Sequence, residues 1–198
     1  MTKDIRSGVI VVGAVPFIHA SSARAVFICV GERIKLEFGP SNAGPWTMHY
    51  LFNGESRSHV VTHSPFTLQT RTEGVMNIQT VSNRFCSAPV SFVQPIRSLP
   101  SASLDRGQIV EDDLSEGDTK NILISLLGTA PFNVTIQRTS FFEDEPQMLE
   151  LRGIRNSEYN MQVQQEGQYR IVYVADKFCQ SFHDPRRDLD TSIAGPAV

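Results

Sequence analysis

Apolar and polar residues alternate along this chain in short bursts, and glycine or proline interrupts each burst before it reaches helical length. Ile34, Leu36 and Phe38 share one face of a period-two strand, with Lys35 and Glu37 on the other. Trp46, Met48, Tyr50 and Phe52 follow the same rule, and Asn53-Gly54 closes that strand with a hairpin signal. Phe132, Val134 and Ile136 repeat it after Ala130-Pro131. No segment sustains a 3.6-residue period. The pattern predicts an all-β chain built of antiparallel sandwiches.

The pattern also recurs at long range. Gln165–Cys179 and Thr72–Cys86 agree at six positions, all offset by 93 residues: Glu73/Glu166, Gly74/Gly167, Ile78/Ile171, Val81/Val174, Phe85/Phe178 and Cys86/Cys179. The Trp46 and Phe132 blocks recur at an offset of 86, which places an insertion in the acidic loop from Phe142 to Pro146, where extra length costs little. Within each long copy the inward positions are spaced two and then three apart: Met76, Ile78, Val81, and Tyr169, Ile171, Val174. A slip of one residue flips every later side chain, so a β-bulge is predicted at Gln79-Thr80 and at Val172-Tyr173.

These repeats divide the chain into two tandem immunoglobulin-like domains. The first is assigned residues 25–90 and the second 91–183, with Ser91–Ile96 as its opening strand. Residues 1–24 are left open, as an edge strand over Gly8–Phe17 or part of a preceding repeat. Leu104–Asp118 reads as loop, and residues 184–198 as a disordered tail.

Composition narrows the function. The 198 residues carry a net charge of −3, and no basic run interleaved with aromatics is present, which argues against nucleic acid. The most apolar stretch, Gly8–Ile18, is about half the roughly twenty residues a bilayer-spanning helix needs, and its Val/Ile alternation suits a strand better than a secretory signal. There is no phosphate-cradling glycine loop, G-x-S-x-G or H-E-x-x-H, so neither an enzyme nor a cofactor is expected.

Three cysteines are an odd number, so a disulfide within the chain leaves one thiol over. Cys29 and Cys86 invite a bond in the first domain. Against it, Cys29 starts one strand and Cys86 ends a parallel one, which would set them some 20 Å apart, where a disulfide tolerates about 4.4–6.8 Å between Cα atoms. Tyr169, following Glu166-Gly167, reads as a tyrosine corner. Asn133-Val134-Thr135 is the chain's N-glycosylation sequon, on the outward face if Phe132, Val134 and Ile136 point inward. His59 and His63 lack a third zinc ligand nearby, and Glu111–Asp113 and Glu143–Glu145 lack the calcium-loop pattern.

Gly31, Pro45-Trp46, Gly74 and Cys86, echoed by Gly117, Pro131-Phe132, Gly167, Tyr169, Asp176 and Cys179, carry a resemblance. C-x-G-[DE], an apolar strand, G-x-P-aromatic and E-G-x-Y-x-I-x-x-V-x-D-x-x-C together resemble the lumenal immunoglobulin-like repeats of the fungal nuclear pore membrane glycoprotein. The resemblance covers about residues 25–180. It implies a scaffold in the nuclear envelope lumen at the pore, self-associating and meeting other pore-membrane proteins, in a family anchored by a membrane-spanning segment that this chain does not display. Met76 stands where the second copy has Tyr169, Asn83 where it has Asp176, and Ser115 where the first has Cys29. A second reading is an extracellular adhesion repeat pair stiffened by calcium.

Overall fold

A computed structural model describes residues 14–20, 26–40, 44–105, 112–113, 118–141, 145–182 and 191–194. The chain divides into two units, Met1–Arg97 and Ser98–Val198. Each is an immunoglobulin-like sandwich, and each follows from the alternation of its strands.

In the first unit the strands are β1 (Phe17–Ala20), β2 (Ile28–Cys29), β3 (Arg33–Gly39), β4 (Trp46–Phe52), β5 (Glu55–Val61), β6 (Phe66–Gln69), β7 (Gly74–Ser82) and β8 (Ser87–Arg97). They form a three-stranded sheet, β1-β3-β6, and a five-stranded sheet, β2-β8-β7-β4-β5. Ile34, Leu36 and Phe38 meet Trp46, Met48, Ile78 and Val81 in the core, all at 3% exposure or less, so period-two spacing has turned one face of each strand inward. Asn53 and Gly54 take φ of 52° and 86°, the two left-handed residues that join β4 to β5.

The second unit contains β9 (Ser101–Leu104), β10 (Asp112–Asp113), β11 (Lys120–Leu127), β12 (Phe132–Thr139), β13 (Gln147–Ile154), β14 (Glu158–Val163), β15 (Gly167–Ala175), β16 (Gln180–Phe182) and β17 (Thr191–Ala194). One sheet runs β14-β11-β9 and the other β10-β17-β15-β12-β13, with β16 also paired to β15. Ile122, Ile124, Phe132, Val134, Ile136, Tyr169 and Val174 fill its core.

The bulges fall where the spacing places them. His49 pairs with Thr80 and Tyr50 with Ile78, so Gln79 is skipped; Thr135 pairs with Tyr173 and Ile136 with Ile171, so Val172 is skipped. In both copies the extra residue restores the buried phase of Val81 and Val174.

Several boundaries differ from expectation. Ser91–Ile96 does not open the second unit: it belongs to β8, which runs back along β7 from Ser82↔Ser87 to Gly74↔Ile96 and completes the first sandwich. A short turn after β7 can only return the chain antiparallel, which moves the unit boundary from residue 90 to Arg97. Phe17–Ala20 pairs with β3 and so belongs to the first unit. Asp112–Asp113 form a strand where loop was expected, and so do Thr191–Ala194 within the expected tail; β10 pairs with β17, and β17 with the start of β15. The rest of residues 184–198, and residues 1–13, lie outside the described residues.

Candidate functional site

The repeated stretch is a folding device, and its atoms show how it works in the second unit. Gly167 has φ of 139°, and a Cβ there would lie 2.7 Å from the Thr139 carbonyl oxygen, so glycine is required twice over. Arg138, 4% exposed, closes the turn: its Nε donates to the Glu166 carbonyl at 2.8 Å and a terminal nitrogen to Gln147 Oε1 at 3.1 Å. The Glu166 carboxylate stands 3.7 Å from the same guanidinium. Tyr169, 1% exposed, donates its hydroxyl to the Gln165 carbonyl at 2.8 Å. Burial pushes its phenol above the ordinary tyrosine value; Arg138 opposes that shift and Glu166 adds to it. A neutral, hydrogen-bonded phenol suits a structural corner. At the far end of β15, Asp176 Oδ1 accepts from the amides of Phe178 and Cys179 at 2.8 and 2.7 Å, and Oδ2 accepts from Thr129 at 2.8 Å.

The first unit reaches the same shape with other parts. Gly74 has φ of 152°, and Asn53 fills the space beside it, 2.1 Å from where a Cβ would stand. Asn53 Oδ1 accepts from the Val75 amide at 2.9 Å, and Nδ2 donates to the Glu73 carbonyl at 3.3 Å. Met76 takes Tyr169's place in the core. Asn83 Oδ1 accepts from Phe85 and Cys86 at 2.9 and 2.8 Å. Trp46 and Phe132 are equivalent core aromatics, each 2% exposed. The C-V-G-E block is a turn in which the Glu32 carboxylate accepts from the Cys29 amide at 2.8 Å, with Gly31 at φ of 88°.

The Cys29–Cys86 disulfide that the residue types invite is not formed, in line with the strand-distance argument against it. Cys86 keeps its thiol. Distance explains it: Cys29 lies beside Arg97 at the end of β8, whereas Cys86 immediately precedes the start of that strand. Eleven residues of extended chain separate Cys86 from Arg97, roughly 36 Å at about 3.3 Å per residue.

The histidines go separate ways. His59 packs on Phe66 with ring centroids 4.9 Å apart, and His63 Nδ1 lies 2.8 Å from the Thr62 hydroxyl. Among the described residues no three His, Cys, Asp or Glu side chains gather in a metal-binding group. Glu111, Glu143 and Asp144 lie outside the described residues. No helix among those residues is long and apolar enough to cross a membrane.

Asn133 is exposed on β12, with Oδ1 accepting from the Gly153 amide at 3.0 Å. It stands at a groove of about 200 Å³ on the outer face of the sheet, lined also by Thr135, Glu150, Arg152 and Tyr173. Glu150 and Arg152 pair with each other. Tyr173 leans on Phe182 with centroids 5.2 Å apart and donates its hydroxyl to Gln180 Oε1 at 2.9 Å. The sequon was legible, but the groove was not, because it needs β12, β13 and β15 side by side. Arg138 was legible in principle: it continues the inward series Phe132, Val134, Ile136.

Residues 100–186 match the model of the immunoglobulin-like domain of nucleoporin POM152. Two curated relatives are similar over most of the chain. Nucleoporin pom152 of Schizosaccharomyces pombe is 26% identical over 164 residues, covering 78% of this chain, and nucleoporin POM152 of Saccharomyces cerevisiae is 24% identical over 176 residues, covering 79%. The chain spans only 13% of the length of either relative. Among solved structures, a marsupial T cell receptor has 12% identity and a TM-score of 0.47, over 90% of this chain and 72% of that one, a likeness too loose to carry weight.

Proposed function

We propose that this chain is a POM152-like nucleoporin, a structural component of the nuclear pore whose two sandwiches lie in the nuclear envelope lumen. The match of residues 100–186 to the POM152 immunoglobulin-like domain carries this reading. The geometry agrees with it: the signature residues Gly74, Gly167, Tyr169 and Asp176 are spent on closing turns and corners, and the chemistry they offer is hydrogen bonding within the fold. The working parts of such a protein are its surfaces. Copies associate with one another and with other pore-membrane proteins through uncovered strand edges; among the described residues β5 is the longest such edge without a bulge, proline or glycine. In the lumen, Asn133 carries an N-linked glycan.

A tagged copy expressed in a fungal cell behind a membrane-spanning segment tests this, with endoglycosidase digestion read by gel shift and a second, differently tagged copy for co-capture. The expected result is a nuclear-rim signal, a mobility shift that Asn133→Gln abolishes, and co-capture of the two tags. A diffuse signal with no mobility shift overturns the lumenal assignment. Rim localisation without co-capture overturns self-association.

A further inference from the structure

We propose that the groove beside Asn133 seats the first sugar of a glycan borne by that residue, an N-acetylhexosamine; the proposal rests on the lumenal reading above. The groove holds about 200 Å³, the space of some six or seven water molecules, which suits one pyranose ring and its acetamido arm. The attachment atom stands on its wall. In the transfer reaction Nδ2 bonds to C1 of a lipid-pyrophosphate-linked sugar, the C1–O bond to pyrophosphate breaks, and one Nδ2 proton leaves to the transferase's base. Oδ1 is untouched, so its bond from the Gly153 amide survives and continues to orient the side-chain amide.

The lining matches the two kinds of surface a sugar presents. A pyranose has an apolar C–H face, and Tyr173 offers an aromatic face for it; the ring is already fixed by Phe182 behind it and by Gln180 at its hydroxyl, so little freedom remains to be lost. A pyranose also has a polar rim. Arg152 supplies donors for hydroxyl and acetamido oxygens, and Glu150 supplies acceptors for hydroxyl protons. The corresponding surface of the first unit serves as an internal control: Thr47 stands at the place of Asn133, His49 at that of Thr135 and Thr80 at that of Tyr173. Acceptor, sequon hydroxyl and aromatic platform are all missing together.

The test uses the full chain, secreted from a fungal host and occupied at Asn133 by mass. Endoglycosidase trimming leaves one N-acetylglucosamine on Asn133, and this form is compared with Asn133→Gln, each with and without Tyr173→Thr. The expected result is that a single sugar raises the melting temperature of the second unit by about 4 °C and slows amide exchange around Thr135 and Tyr173 about fivefold. Both gains should vanish in Tyr173→Thr, whose own effect on folding is read in the Asn133→Gln background. An occupied Asn133 with no gain from the sugar, or the same gain with Tyr173 removed, overturns the groove while leaving the lumenal reading intact. An empty sequon overturns the glycan at Asn133 and the groove with it, while the rim-localisation test above still decides the lumenal reading. Exchange at Thr47 and Thr80 should not change in any form.

Discussion

The two units close the same Glu-Gly turn with different chemistry. In the second, a buried guanidinium reaches across to Glu166, a phenol ties down Gln165, and backbone blocks any Cβ at Gly167. In the first, one short amide does the work: Asn53 holds Glu73 and Val75 and fills the space beside Gly74. The backbone geometry has been kept while its supports were exchanged. What the repeat preserves is therefore the positive-φ glycine and the inward phase, and the neighbouring side chains are free to vary as long as the turn's polar groups are satisfied.

The largest effect should come from Gly167, with Gly74 as its comparison. Gly167→Ala forces backbone against Cβ in a left-handed conformation and should cost about 3 kcal/mol in the second unit's transition. Gly74→Ala meets only a side chain and should cost less, about 1–2 kcal/mol, with part of that cost recovered in an Asn53→Ala background. Denaturant unfolding of the four variants checks both; equal costs for the two glycines would erase the distinction between a backbone and a side-chain support.

Next in size is Arg138→Met, which strips the Glu166 carbonyl of its partner inside the unit and should cost about 2 kcal/mol. Tyr169→Phe should cost about 1 kcal/mol and should also change the alkaline limit. Because burial raises the phenol's pKa in the fold, the folded state favours the protonated form; its contribution is complete below the unfolded value of about 10 and is lost as pH rises towards the folded one. Wild type should therefore lose stability in its second unit above pH of about 10, and Tyr169→Phe should lose less, in thermal scans at stepped pH. Unfolding of the first unit, with Met76 in that place, should not respond to either change.

The smallest difference concerns the Asx turns. Asp176→Asn should cost about 1 kcal/mol, since an amide cannot hold three amides with two carboxylate oxygens. Asn83→Asp keeps the oxygen that accepts both turn amides but loses the Nδ2 bond to the Ala14 carbonyl, an exposed contact, and should cost less. Melting temperatures of the two single variants decide the order.

Local periodicity and phase were legible from the sequence, because they are imposed residue by residue. Strand faces, both bulges, the Asn53-Gly54 hairpin and the corner at Tyr169 are of this kind. Ownership of a strand was not, since Ser91–Ile96 alternates equally well at the end of one sandwich or the start of the next; only its pairing with β7 decides. For the cysteines, spacing argued rightly against Cys29–Cys86, but the surroundings of Cys29 were not legible. Their identity was plain, but Cys29's position beside Arg97 depends on β2 adding parallel to the far end of β8. Nor did composition announce the groove at Asn133, whose residues come from three strands.

The parallel contact between β2 and β8 has a mechanical meaning. Ile28 and Cys29 lie beside Ile96 and Arg97, and the Val30 amide donates to the Arg97 carbonyl at 2.9 Å, so the first sandwich is clasped where one of its earliest strands meets its last. Tension drawn through the two ends of that sandwich loads these hydrogen bonds side by side, in shear, instead of peeling them one at a time. Under such a load the clasp yields late and all at once.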